Sequence, residues 1–371
     1  MNKIQIGKSI VFLGIGIYSG AVIFLTDGCK KPDHSDLQAP FETTPYTLEY
    51  GKLPDPNIPE DNRLTKEGVE LGRMLFYERA LSGDGTQACS DCHRQKNAFS
   101  DTAQFSTGIA GTMGTRQAMA VFNMLWNSNE FFWDGRAHLL RDQSLMPIQN
   151  PVEMNETLEN VVTKLEAMDS YTGMFEKAFG TKTITPERIS LAMEQFMNSI
   201  VSYNSKFDQV QAGQAKFTPS EEKGRKLFFA EYNPAFPDIT GADCAHCHGG
   251  FNFENDRYMN NGLDDGGQMM DMGREEVTHD MMDRGKFKVP SLRNIALTPP
   301  YMHDGRFATL EEVVDHYNTG IHNSPTLDPA LKNTMSTGLM LDTQEKADLI
   351  AFLKTLSDFT LVNDVRYSDP H

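Results

Sequence analysis

The chain has 371 residues, and about 343 of them follow a predicted leader that ends near Cys29, enough for two domains of ordinary size. A hydrophobic content of 39% and a charged content of 23% are typical of a globular protein and argue against a disordered or fibrous one. The net charge of −17 argues against nucleic acid as a partner, because phosphate binding needs a basic surface, and it favours a basic partner protein.

The first 29 residues have the pattern of an export signal. Lys3 and Lys8 precede an apolar stretch over residues 10–25, and Cys29 follows a small residue, where a lipoprotein signal has its lipidated cysteine. We therefore expect a periplasmic protein that is lipid-anchored to a membrane through its N-terminus. The alternative is an uncleaved transmembrane anchor over residues 10–25, which is only slightly short of a membrane span.

Helical patterns dominate the chain beyond this leader. Residues 30–62 are rich in Pro, Asp, Thr and Glu without helical periodicity, and they predict a linker. Helices are expected over residues 66–78 and 219–230, and two later helices begin after Thr185 and Asp342, whose side chains are typical N-caps. Because strand-like alternation is nearly absent, the sequence predicts an all-α fold.

The pattern C-x-x-C-H occurs twice, at Cys89, Cys92 and His93 and again at Cys244, Cys247 and His248. It is the signature of covalent haem c attachment, because two thiols add to the vinyl groups of one porphyrin edge and the adjacent histidine reaches the iron. The alternatives are a zinc site, for which no further cysteine pair exists, and a redox C-x-x-C, which does not need the histidine. We therefore predict two covalently bound haem c groups.

The two motifs belong to an internal repeat. The segment LGRMLFY over residues 71–77 is echoed by KGRKLFF over residues 223–229, and each segment precedes its C-x-x-C-H motif by a short distance. The repeat predicts two tandem cytochrome c-like haem domains, an N-terminal one over residues 63–212 and a C-terminal one over residues 213–365.

Further motifs surround the two C-x-x-C-H patterns. They are FWDGRA over residues 132–137, FKVPSLRN over 287–294 and YMHDG over 301–305, together with Gln143, Pro147 and Glu153 at ten, fourteen and twenty residues after Trp133. With this combination the chain resembles, from about residue 62 to residue 364, the bacterial di-haem cytochrome c peroxidases and their MauG-type relatives. The resemblance implies a peroxidatic first haem and a second haem that transfers electrons.

The resemblance also assigns roles to individual residues. Glu153 would be the acid–base group on the open face of the first haem, and Gln143 would help to order the peroxide there. A carboxylate suits this place, because splitting the O–O bond needs a proton moved from one oxygen to the other. Trp133 would lie between the haems and carry electrons. The residues alone leave open a solvated carboxylate at Glu153 and a core tryptophan at Trp133.

Supporting ligands follow from the same resemblance. The carbonyl groups of Thr298 and Pro300 match positions that bind a calcium ion between the domains, and the third position is Gln117 here, where the family has Asn. His303 matches a histidine near the second haem and would bind one of its propionates.

The chain departs from classical members of the family at the first haem. Those members have a distal histidine in the loop after the first motif, and it leaves the iron only when the second haem is reduced. Here no histidine occurs between His93 and His138, and Ile109 or Ala110 falls at that position. We therefore expect an open first haem that is active without reductive priming, with Met113 as an alternative ligand.

A second departure concerns the sixth ligand of the second haem. The family position lies fourteen residues beyond His303; it is Met in classical peroxidases and Tyr in MauG-type proteins, and it is Tyr317 here. A capping box that starts at Thr309 predicts a helix carrying Tyr317. A phenolate would favour ferric and higher states, whereas a thioether would raise the potential. The alternatives are a core tyrosine beside the haem and Met335 or Met340 as the ligand.

Together these patterns predict a di-haem peroxidase that reduces hydrogen peroxide to water with electrons from a small c-type cytochrome or a cupredoxin. The first alternative is a MauG-type oxidase that modifies residues of a partner protein, which Tyr317 and the missing distal histidine favour. The second is a two-haem electron carrier without catalysis, which would need neither Glu153 nor Gln143. Members of the family are often dimers, so a homodimer is a further expectation.

Overall fold

The computed structural model describes residues 43–236 and 240–371, which belong to one compact unit, Phe41–His371. The expected export signal, its Cys29 and residues 30–42 of the expected linker lie outside the described residues, so these features stay predictions. The described part of that linker, residues 43–62, has no helix and is held by a β-bridge from Pro45 to Thr65.

The described chain is built from short α-helices. Those of the first half, residues 43–200, are α1 (Lys66–Tyr77), α2 (Cys89–Cys92), α3 (Leu140–Gln149), α4 (Leu158–Glu166), α5 (Asp169–Phe179) and α6 (Pro186–Ser199). Those of the second half, residues 201–371, are α7 (Lys206–Gln211), α8 (Pro219–Phe229), α9 (Glu275–Thr278), α10 (Leu310–Thr319), α11 (Pro329–Thr334) and α12 (Thr343–Lys354). Two strands, β1 (Tyr258–Met259) and β2 (Phe287–Lys288), pair antiparallel, with Tyr258 opposite Lys288. This composition confirms a mostly helical fold.

Side-chain caps explain where the main helices begin. The hydroxyl of Thr185 accepts a hydrogen bond from the backbone N–H of Arg188 at the start of α6, and the Asp342 carboxylate accepts one from Glu345 at the start of α12. These bonds satisfy backbone donors that have no partner inside the first turn of a helix. The predicted helices over 66–78 and 219–230 are confirmed to within one residue.

The sequence repeat corresponds to a repeated helix crossing. In the first half α1 packs against α6, and a β-carbon at Gly72 would lie 1.9 Å from the carbonyl oxygen of Ala192. In the second half α8 packs against α12, and a β-carbon at Gly224 would lie 1.9 Å from the carbonyl oxygen of Asp348. Only glycine allows the backbones to approach this closely, which is why both copies of the repeat have it.

Apolar side chains form two separate cores within the described residues. The first includes Leu71, Leu75, Phe76, Phe99 and Phe196, and the second includes Phe228, Phe253, Ile350, Phe352 and Leu356. The end of the chain returns to the first core, because Leu361 and Tyr367 are buried there and the Tyr367 hydroxyl donates to the carbonyl of Ser199 at 2.8 Å. Within residues 43–236 and 240–371, no helix is long and apolar enough to cross a bilayer.

Candidate haem-binding site

The first C-x-x-C-H motif forms a single helical turn, α2, that is followed by His93. The Nδ1 atom of His93 lies 3.0 Å from the carbonyl oxygen of Phe99, and a proton on Nδ1 that donates to this oxygen leaves Nε2 free to bind a metal. Burial lowers the pKa of His93, which favours the neutral imidazole that a metal needs. Cys89 and Cys92 are free thiols on the same turn.

The second motif repeats this arrangement. Cys244–His246 form a short 3₁₀ helix, and the Nδ1 atom of His248 lies 3.2 Å from the carbonyl oxygen of Phe253. Burial lowers the pKa of His248 to about 4 and raises the pKa of the Cys244 thiol to about 12. Both motifs therefore present a neutral, oriented histidine beside two free thiols. This donor set fits a covalently attached haem at each motif.

Glu153 lies close to the first motif. Its carboxylate is half-buried, and its Oε1 atom accepts a hydrogen bond of 2.7 Å from the side-chain amide of Asn150. Burial raises the pKa of Cys89 and Cys92, and the charge of Glu153 adds to this rise. The same charge partly opposes the lowering of the pKa of His93 by burial. The carboxylate is therefore next to the residues that would attach and ligate the first haem.

The loop that follows the first motif passes directly along Glu153. The backbone N–H of Ile109 donates to the carbonyl oxygen of Glu153 at 3.0 Å, and a β-carbon at Gly108 would lie 2.0 Å from the carbonyl oxygen of Val152. An aliphatic residue thus stands beside Glu153 in the loop where the resemblance led us to look for a distal histidine. Met113, the alternative ligand in this loop, has a side chain that is 62% exposed.

Gln143 lies on α3, the helix whose end leads into the Asn150 turn. Its side chain is half-buried and makes no hydrogen bond to any other described residue. The amide therefore has unused donors and an unused acceptor, as a group that orders a small polar ligand would need.

Trp133 connects the two halves of the chain. Its ring is buried, and its Nε1 atom donates to the carbonyl oxygen of Gln117 at 2.8 Å. Its own carbonyl oxygen accepts a hydrogen bond of 2.7 Å from the backbone N–H of Lys288 on β2. Gln117 in turn donates its backbone N–H to the carbonyl of His303 at 2.7 Å. Trp133 is thus fixed where segments that follow the two motifs meet.

The residues predicted to bind calcium and a haem propionate lie in the following surroundings. The side-chain amide of Gln117 donates to Ser100 Oγ at 3.1 Å and to the carbonyl of Asp101 at 3.2 Å. Thr298 ends a short 3₁₀ helix, and Pro300 follows a cis peptide bond. His303 is buried, its ring stacks on Phe287 with centroids 3.6 Å apart, and burial lowers its pKa. The calcium and propionate roles stay predictions.

Tyr317 lies beside the second motif. Burial raises the pKa of its hydroxyl to about 12, and the thiols of Cys247 and Cys244 are close enough to contribute. The hydroxyl lies 3.4 Å from the side-chain nitrogen of Asn261. The alternative ligands Met335 and Met340 are 39% and 49% exposed.

Sequence reasoning missed several residues of this site. Asn150, which holds Glu153, follows from the Asn-Pro turn that ends α3, a signal that the sequence does contain. Asn261, whose side-chain nitrogen lies 3.4 Å from the Tyr317 hydroxyl, has no local signal. Arg116, which forms ion pairs with Asp134 and Asp271, was not predicted either.

Comparison with known proteins shows which family the chain resembles. The family model described as di-haem cytochrome c peroxidase matches residues 66–216. Over 302 residues the chain is 34% identical to the methylamine utilization protein MauG of Methylorubrum extorquens, covering 80% of each. Over 316 residues it is 33% identical to the cytochrome c551 peroxidase of Nitrosomonas europaea, covering 82% of this chain and 86% of that protein.

Solved structures give the same result. The crystal structure of a MauG-like protein associated with microbial copper homeostasis is 35% identical and superposes with a TM-score of 0.77, covering 88% of this chain and 99% of the other. The di-haem peroxidase BthA of Burkholderia thailandensis shares the fold, with a TM-score of 0.68 at 21% identity over 83% of this chain and 91% of the other. From its relatives and from its paired haem-binding motifs, the chain belongs to the family of di-haem cytochrome c peroxidases and MauG proteins.

Proposed function

We propose that this protein reduces hydrogen peroxide to water with electrons from a small c-type cytochrome or a cupredoxin. The observation that carries the proposal is the half-buried carboxylate of Glu153 near the first C-x-x-C-H motif. The side-chain amide of Asn150 holds this carboxylate through a hydrogen bond of 2.7 Å. A simple electron carrier would not need an oriented proton-transfer group at this place. Family membership implies two c-type haems, and the donor sets at His93 and His248 fit them.

The first haem, when bound, supplies an iron site for peroxide and the electrons that break its O–O bond. The residues of the chain supply the proton movement and the orientation. Glu153 accepts the proton from one peroxide oxygen and gives it to the other, which leaves as water. The hydrogen bond from Asn150 fixes the carboxylate for both transfers, and the free amide of Gln143 orders the peroxide.

Electrons reach this site by way of the second motif. Trp133 supports such a route, because its backbone carbonyl binds Lys288 and its indole N–H binds the carbonyl of Gln117. Two electrons and two protons convert one peroxide to two waters. The net charge of −17 favours a donor with a basic docking surface.

A MauG-type oxidase is the second candidate, and Tyr317 favours it. The hydroxyl of Tyr317 is close to the second motif, whereas the thioethers of Met335 and Met340 are partly exposed. A tyrosine ligand suits the storage of oxidising equivalents better than a methionine ligand does. Such an enzyme would oxidise residues of a partner protein rather than a cytochrome.

The remaining parts of the proposal concern organisation. The two apolar cores support haem domains over residues 63–212 and 213–365. The carbonyls of Thr298 and Pro300 with Gln117 would hold a calcium ion between them. The N-terminal pattern supports export to the periplasm with a lipid on Cys29, and cell fractionation tests this location.

Replacing Glu153 by Gln tests the proposed catalytic role. The variant keeps the shape of the side chain and an oxygen for Asn150, but it cannot accept a proton. We expect turnover of peroxide to fall by roughly 10²–10⁴-fold, while absorption spectra and mass still give two attached haems. The matched control is Glu159→Gln on the exposed first turn of α4, which should keep wild-type turnover. Wild-type turnover in Glu153→Gln would remove Glu153 from the mechanism.

A further inference from the structure

Besides Trp133 the chain has one other tryptophan, Trp126, whose side chain is half-buried. Its half-buried ring packs against Tyr50, with centroids 6.2 Å apart, and against Phe251, with centroids 6.3 Å apart. The first pair is tilted and the second is edge-to-face, and both separations are those of paired aromatic rings. Tyr50, Trp126 and Phe251 therefore form a continuous row of three rings.

The inner end of this row belongs to the loop of the second motif. Phe251 comes three residues after His248, and Phe253 on the same loop orients the His248 ring through its carbonyl. The carbonyl of Phe251 accepts hydrogen bonds of 3.0 and 2.7 Å from the buried guanidinium of Arg293. Trp126 thus contacts a rigid loop that also positions the expected ligand of the second haem.

At its outer end the row is held in place by the segment over residues 50–58, which makes hydrogen bonds to Trp126 and to the residue before it. The backbone N–H of Asn57 donates to the carbonyl of Leu125 at 3.2 Å, and Trp126 Nε1 donates to the carbonyl of Pro54 at 2.9 Å. Tyr50 is half-buried and Phe251 is 36% exposed, so the row reaches solvent.

The proton partners of the two oxidisable rings differ. The indole N–H of Trp126 donates to a backbone carbonyl, which does not take up a proton near neutral pH. The Tyr50 hydroxyl donates to the Asp55 carboxylate at 2.9 Å, which can take one up. This hydrogen bond raises the pKa of Tyr50, so the phenol is protonated at rest. Loss of an electron from Tyr50 can therefore be coupled to loss of its proton, whereas Trp126 can only pass a charge on.

We propose that Trp126 and Tyr50 form an electron-transfer route between the loop of the second motif and the surface, with Asp55 as proton acceptor. The inference rests on the proposed function, because the oxidant is the di-haem centre after its reaction with peroxide. Trp126 loses one electron to that centre and regains one from Tyr50, while the phenolic proton moves to Asp55. A one-electron reductant at the surface then restores Tyr50, and Asp55 returns the proton.

The test locates the radical directly. Peroxide is added to the ferric holoprotein without an electron donor but with a nitroso spin trap, and peptide mass spectrometry then finds the covalent adducts. The wild-type protein should have an adduct on Tyr50, and Trp126→Phe, which keeps a ring in place, should lose it. Asp55→Asn should also lose it, because an amide cannot accept the phenolic proton. Asp55→Asn, at an exposed position, keeps the test decisive if Trp126→Phe fails to fold.

Tyr203→Phe is the matched control. The Tyr203 hydroxyl also donates to a carboxylate, that of Glu49 at 3.1 Å, but its ring does not pair with Trp126 in the described part of the chain. This variant should keep the adduct on Tyr50. An unchanged Tyr50 adduct in Trp126→Phe or Asp55→Asn, with a normal change of haem absorption on adding peroxide, would overturn the electron-transfer route. It would leave the proposed function standing. No change of haem absorption in the wild-type protein would overturn the proposed function and this inference together.

Discussion

Asn261 defines the surroundings of Tyr317. Its Nδ2 atom lies 3.4 Å from the Tyr317 hydroxyl and 3.3 Å from Met302 Sδ, while its backbone carbonyl lies 3.1 Å from Nε2 of the buried His316. Burial raises the pKa of the phenol to about 12, whereas the donor at its oxygen favours the phenolate. This arrangement supports Tyr317 as the sixth ligand of the second haem.

Replacing Tyr317 by Phe tests that ligation. We expect an altered ferric spectrum and a higher midpoint potential for the second haem, because a phenolate stabilises ferric iron. Redox titration of the holoprotein, followed by absorption, measures both. The control is Tyr301→Phe, a ring buried in the second core, which should change neither quantity. An unchanged spectrum in Tyr317→Phe would contradict ligation by Tyr317 and would favour Met335 or Met340 as the sixth ligand.

The free energy of unfolding is expected to depend on pH through Glu254. Burial raises the pKa of its carboxyl to about 7, and the charge of Asp256 adds to the shift. Because the folded protein holds a proton that the unfolded chain releases, the stabilising contribution is complete below the unfolded pKa, roughly 4.5, and is lost as the pH rises through about 7. Urea unfolding of the holoprotein should therefore give a free energy that falls over this window, and less steeply for Glu254→Gln. Equal slopes would contradict the shift.

The sequence identifies the residues expected to attach the haems but not those that would position them. C-x-x-C-H is a local pattern, so Cys89 and Cys244 can be read directly, and the spacing from Trp133 leads to Glu153. Asn261 and Phe99 contact Tyr317 and His93 only in the folded chain. No pattern in the neighbouring sequence predicts these contacts.

Helix ends were the most predictable elements, because a cap and its helix are neighbours in sequence. Thr309, for example, caps α10 with Glu312 as expected, although the helix continues to Thr319. The strands β1 and β2 were not predicted, since each has only two residues and exists only by pairing with the other. Short elements of this kind depend on contacts between distant segments.

Gly72 gives an element-scale prediction. A β-carbon there would meet the backbone of α6 at the carbonyl of Ala192, which cannot move without shifting the helix. We expect Gly72→Ala to lower the free energy of unfolding by about 1–3 kcal/mol. The control is Gly173→Ala in α5, where no atom lies within 4 Å of the new methyl group and the helix should gain up to about 1 kcal/mol. Urea unfolding measures both, and a neutral Gly72→Ala would contradict the close crossing.

At the scale of the molecule, contacts far apart in sequence join the two halves. Arg116 pairs with Asp271 at 2.7 Å, and Lys288 donates its backbone N–H to Trp133. The end of the chain returns to the first half, where the guanidinium of Arg73 donates to the carbonyl of Ser368 at 2.6 Å. The internal repeat predicted two similar halves, but no repeat can specify how they are joined.

The central claim is that the first haem is open at rest and that Glu153 works there without reductive priming. Ile109, which donates its backbone N–H to the Glu153 carbonyl, stands in the loop that would otherwise carry a distal histidine. The most direct measurement is steady-state oxidation of a reduced small cytochrome c by hydrogen peroxide, starting from the fully ferric protein. We expect immediate turnover without a lag. Turnover only after pre-reduction would contradict the open first haem, and no turnover, with a long-lived oxidised state after peroxide, would favour oxidation of a partner protein instead.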